Sequence, residues 1–225
     1  LDLLMKNREV ADMLGRHIME RCPEAKVLVV TNPVDVLTWY MKKTWPQMNV
    51  FGLGCCLDTI RFRYFIAEEA EVSVDSVLGI VIGAHDDTMV PLISHATVSG
   101  IPIKEILHDD QIARVIARTK RAGTAIVQKL KNHSGYYAAS HVTAQIVESI
   151  IFSRLEIFPV SVMCNGEYGC SDICLALPSI MGHEGVVKTI EADLEDPEKT
   201  SLELCISSMK AVISDLAAQD RYDIS

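Results

Sequence analysis

Apolar positions recur at near-helical spacing across residues 1–22, at Leu3, Leu4, Val10, Met13, Leu14 and Ile18, and Pro23 ends the run. This pattern predicts an opening helix. Within 26–31, Val27, Leu28, Val29 and Val30 are apolar on consecutive positions, as in a strand of a parallel sheet covered by helices on both faces. Pro33 then opens a helix over 34–43. A short strand over 49–54 ends on glycine, a strong helical pattern fills 57–72, and a third apolar strand is predicted at 77–83. Residues 89–103 are mixed, with a turn marked by Gly100-Ile101-Pro102. Two long helices follow, over 109–131 with Gly123 inside it and over 136–153. Two strands, 156–166 and 174–182, flank the connection "EYGCSD". A short strand from Gly185 and a helix over 196–219 complete the chain.

The order α-β-α-β-α-β, then helices and antiparallel strands, predicts an α/β fold: the C-terminal part of a doubly wound, Rossmann-type parallel sheet followed by an α+β domain. Such folds bind ligands in the crevice at the strand ends. Four polar residues stand at those ends or on the helix beside them. Asn32 follows the strand at 26–31, Asp58 and Arg61 lie one helical turn apart after the second strand, and His85 follows the third. If the three strands are parallel, all four approach one crevice.

The residue types suit proton transfer on a small hydroxy acid. Histidine exchanges a proton near neutral pH. A carboxylate accepts its Nδ1–H, fixes the tautomer and stabilises the imidazolium. Arginine grips a carboxylate through paired hydrogen bonds. Asparagine orients a hydroxyl or carbonyl without adding charge. Each residue also has a plainer reading. Asp58 and Arg61 fit a helix-surface ion pair, His85 a loop histidine, and Asn32 a helix cap. The joint pattern favours the chemical reading.

Composition narrows the class. The 225 residues are 49% hydrophobic and 23% charged, which suits a globular chain with a sizeable core, and the formal net charge is −9. No basic block exists to neutralise phosphates, which argues against nucleic-acid binding. No apolar run reaches the roughly 18 residues of a membrane span, and nothing resembles a signal peptide. The seven cysteines are odd in number and most lie in apolar or helical runs, which predicts reduced thiols and a cytoplasmic setting. Cys170 and Cys174 lack a second ligand pair at zinc spacing, so no metal site is expected.

"VTNPVDVLT", "LDTIRFRYFIAE", "GAHDDTMVPL", "TVSGIPI", "YYAASHVTAQIVESI" and "GEYGCSDICLALPSIMG" together resemble the lactate/malate dehydrogenase family, and most closely its lactate-dehydrogenase-like malate dehydrogenases. The resemblance runs from residue 1 to 225. It implies a remaining part of a dinucleotide-binding domain over 1–56 and a catalytic domain over 57–225. The implied reaction is NAD-dependent interconversion of a 2-hydroxy acid, malate before lactate, and its 2-oxo acid, a step of the tricarboxylic acid cycle. The implied proton donor and acceptor is His85, with Asp58 as its carboxylate partner. Arg61 matches the substrate-carboxylate arginine, and Asn32 contacts substrate and nicotinamide. Val30, Thr31 and Asn7 match further neighbours of the cofactor. The implied partners are a small dicarboxylate or 2-hydroxy acid and further copies of the chain, as a homodimer or homotetramer.

The sequence departs from the family in several places. The family opens with a strand, a G-x-G-x-x-G turn and a helix that receives the pyrophosphate. These 225 residues contain no such turn, nor the ribose-reading acid, nor the arginine-bearing mobile loop. The resemblance implies a start midway through the dinucleotide-binding domain. A polypeptide of these residues alone is expected to bind NAD weakly and turn over malate negligibly. A second reading is an inactive assembly module that keeps the fold and self-associating helices. The family's His-Gly-Asp is here His85-Asp86-Asp87. Asp86 is expected to favour imidazolium and repel an anionic substrate, and to tolerate a positive φ if the glycine had one. Cys55 and Cys56 are expected to be packed and inert, and Ser134 or Gly135 to border the substrate pocket.

Overall fold

The computed structural model describes residues 2–130 and 135–222. The opening helix α1 (Asp2–Arg21) leads into β1 (Lys26–Val29), α2 (Val34–Thr44), β2 (Asn49–Gly52) and α3 (Cys56–Glu69). β1 and β2 pair in parallel, Lys26 opposite Asn49 and Val29 opposite Gly52. α2 lies so close on β2 that a Cβ at Gly52 would stand 2.4 Å from Thr38 Oγ1 and 2.9 Å from Val34 Cγ2. Only glycine permits that approach. β1 forms the open edge of the five-stranded sheet.

The 77–83 run does not form one strand. It breaks into β3 (Val77–Leu78) and β4 (Val81–Ile82), which join separate small antiparallel sheets with β5 (Val90–Pro91), β6 (Thr97–Val98) and β7 (Ile101–Pro102). The physical reason is twofold. The free edge of β2 is taken by β8 (Glu156–Asn165), Gly52 opposite Ser161. Between the halves, Gly79 passes over the Phe62 ring of α3, 2.9 Å from where its Cβ would be. Parallel pairing of the third strand with the first two is therefore corrected. The turn expected at 100–102 also shifts: Ser99 and Gly100 take positive φ, while Ile101 and Pro102 pair with β6.

The helices α4 (Asp109–Leu130) and α5 (Tyr136–Ile151) stand where the periodicity predicts them. β9 (Ser171–Gly182) begins three residues earlier than expected, because its hairpin with β8 closes tightly, Asn165 opposite Ser171. β10 (Gly185–Thr189) pairs along β9, and α6 (Asp196–Tyr222) packs against β5 and β9. The result is an α/β fold with a mixed sheet. Its core runs between α2, α6 and the β8–β9 hairpin, through Phe51, Leu175 and Leu177. A second cluster lies beneath α3 and α4, around Phe62 and Ile66.

Candidate active site

α3 carries Asp58 and Arg61 on one face because they are three residues apart. The helix starts abruptly after Gly54, whose φ of +54° turns the chain out of β2. A Cβ there would fall 2.6 Å from the Ser161 backbone nitrogen, so the turn demands glycine. His85 reaches the same place by a different route from the one the sequence implies. Gly83 bridges Ala176 of β9 in antiparallel fashion, and the chain then swings His85 over α3.

The groups converge. His85 Nδ1 lies 2.5 Å from Asp58 Oδ2, and Arg61 Nη1 donates to Asp58 Oδ1 at 2.9 Å. A carboxylate accepts, so Nδ1 carries the proton and Nε2 is left to face a substrate. The Asp58 side chain is only 1% exposed, against 20% for His85 and 17% for Arg61. The ion pair that a surface reading would expect is therefore buried, with its cation turned to a cleft of about 500 Å³. Burial alone would lower the His85 pKa. The hydrogen bond and charge of Asp58, with the charge of Asp35, outweigh burial and the opposing Arg61, and the imidazole pKa stands above its usual value.

Asn32 lies on the same cleft, as do Val30 and Gly135. Thr31 follows Val30 at the exposed end of β1. Asn7 of α1 donates its Nδ2–H to the Asn32 carbonyl at 2.7 Å, which ties α1 to that end. Ser134 lies outside the described residues. Asp86 is not among the described residues with positive φ. Its carboxylate accepts from the Thr88 N–H and hydroxyl, and the charges that raise His85 are those of Asp58 and Asp35. Cys55 and Cys56 are buried with thiol pKa values pushed up by burial, and no His/Cys/Asp/Glu cluster fit for a metal occurs among the described residues.

Residues that the sequence did not single out also belong here. Lys120 of α4 lines the cleft one turn before Gly123, whose missing Cβ would sit 3.6 Å from Arg61 Nη1. Asp35 of α2 accepts the His85 backbone N–H at 2.7 Å. Its only sequence signal was an acidic residue in the first turn of a helix, three positions after Asn32.

Two family models match, described as the lactate/malate dehydrogenase NAD binding domain over residues 1–52 and the lactate/malate dehydrogenase alpha/beta C-terminal domain over 55–219. The chain belongs to the lactate/malate dehydrogenase family. The malate dehydrogenase of Shouchella clausii is 36% identical over 97% of this chain and 70% of its own length, and that of Salinibacter ruber is 39% identical over 96% and 69%. The Salinibacter ruber malate dehydrogenase structure superposes with a TM-score of 0.92 at 37% identity, covering 99% of this chain and 73% of that one. The Eimeria maxima lactate dehydrogenase structure, solved with NADH and oxamate, gives 0.92 at 32% identity, covering 98% and 71%. The family, the α/β fold and an NAD-dependent dehydrogenase of 2-hydroxy and 2-oxo acids, all implied by the sequence resemblance, are thereby borne out. This member of the lactate/malate dehydrogenase family spans about 70% of the length of the relatives it matches.

Proposed function

We propose that this chain is the catalytic part of a malate dehydrogenase, in which His85 takes the hydroxyl proton of a 2-hydroxy acid and returns it to the 2-oxo acid. The observation that carries this reading is the contact of His85 with buried Asp58 beside Arg61, on one cleft. Asp58 steadies the imidazolium while His85 Nε2 serves the substrate oxygen. Arg61 spends one guanidinium N–H on Asp58 and offers others to the substrate carboxylate.

The residues at the end of β1 fit the nicotinamide end of NAD: Val30 gives an apolar wall, and Asn32, steadied by Asn7, gives an uncharged polar group, with Thr31 between. NAD supplies the hydride acceptor. The boundary between its binding part and the catalytic part is placed after residue 56.

Malate is favoured over lactate because Lys120 adds a second cation to the cleft for a second carboxylate, and because small Gly135 leaves room for it. Apolar side chains left exposed on α1 (Leu3, Val10, Met13, Leu14) and on α3 (Ile60, Tyr64) support a homodimer or homotetramer. Seven free cysteines, six of them buried, support a reducing, cytoplasmic setting, and malate–oxaloacetate exchange would make the protein a step of the tricarboxylic acid cycle. Steady-state assays of the intact protein with oxaloacetate and with pyruvate test the substrate. Preference for oxaloacetate is expected; preference for pyruvate would overturn the assignment.

A further inference from the structure

The loop that carries His85 is held from behind by buried groups on separate elements. Ala84 donates its N–H to Cys205 Sγ of α6 at 3.1 Å, and Cys55 Sγ lies 3.6 Å from the Ala84 carbonyl. The His85 N–H itself goes to Asp35 Oδ2 at 2.7 Å. Asp35 is 4% exposed, and its Oδ1 and the fully buried Ser161 Oγ are each without a partner in hydrogen-bond geometry. A buried carboxylate with one oxygen in poor hydrogen-bond geometry is a costly choice for a mere structural peg. An amide would accept the same N–H without the charge.

We propose that Asp35 is a positioning residue for His85: its carboxylate fixes the backbone from which the imidazole projects and sets a second buried negative charge behind the ring. The proposal rests on the reading of His85 as the proton-transfer group. Asp58 holds the ring from α3, and Asp35 holds the main chain from α2, so the imidazole is fixed at both ends. Burial raises the Asp35 pKa to about 6, opposed by Ser161 and His85 and aided by Asp86. The other ionisable groups that feel its charge are the buried thiols Cys55, Cys174 and Cys205, each pushed up chiefly by burial. On the His85 side the facing charges are Asp58 and Arg61. Asp35 thus gains its charge in the pH range where His85 works, and that charge favours imidazolium.

Nuclear magnetic resonance on the intact protein tests this. The His85 amide proton should move through a transition near pH 6 as its acceptor ionises, and Asp35→Asn should abolish that transition while preserving the fold. In D35N the imidazole midpoint of His85 should fall by about one pH unit. Should D35N fail to fold, the wild-type amide titration decides alone. A His85 amide without a transition near pH 6 overturns the proposal, as does an unmoved imidazole midpoint in D35N. Full turnover in H85N would instead remove the catalytic reading, and with it the part of Asp35 in the reaction.

Discussion

His85 Nδ1 and Asp58 Oδ2 stand 2.5 Å apart, although 27 residues and a change of sheet separate them in the chain. The same carboxylate holds Arg61 by its other oxygen. One buried acid therefore sets the orientation of both the His85 imidazole and the Arg61 guanidinium, and loss of it disturbs both.

Replacement of Asp58 by Asn should lower the His85 pKa, because the charge that does most to offset its burial is gone. Turnover should fall by about 10²-fold or more. Titration of the His85 imidazole resonances checks the first part. A midpoint that stays put would show that Asp58 does not tune the ring.

Lys120→Gln should raise the KM for oxaloacetate by about tenfold, the loss of one charge contact in the cleft, and leave the KM for pyruvate nearly unchanged. Equal effects on both substrates would remove Lys120 from the account of specificity.

The first two strands, α3 and the approach of Asn32, Asp58, Arg61 and His85 to one cleft were legible because they lie in local patterns of period and type. Lys120 and Asp35 were not. Each acts only through a long-range approach: Lys120 through the packing of α4 on α3, and Asp35 through a bond to a residue 50 positions away. The 77–83 run also misled, since hydropathy cannot tell one strand from two short ones that pair with different partners.

Asp35 should leave a mark on stability. Its folded pKa of about 6 lies above its unfolded value of 3.8, so the native state holds its proton more tightly. Stability contributed by Asp35 is present at low pH and declines as pH rises through that window, by about 3 kcal/mol in all. Urea midpoints should show D35N gaining on wild type between about pH 4 and about pH 6, with little further change above that. A constant difference would contradict a raised Asp35 pKa.

Gly54→Ala should destabilise the chain by about 2 kcal/mol or more, since its Cβ would press on Ser161 N and the Pro159 carbonyl at a positive φ. Thermal unfolding would register this as a fall in Tm. A neutral result would mean that the turn into α3 relaxes freely.

The most direct measurement is oxaloacetate reduction by a His85→Asn variant of the intact protein, with kcat and KM determined separately. The account predicts a kcat loss of about 10²–10⁴-fold with KM changed little, because the proton carrier is gone while Arg61 still binds the carboxylate. A kcat within about threefold of wild type would contradict it.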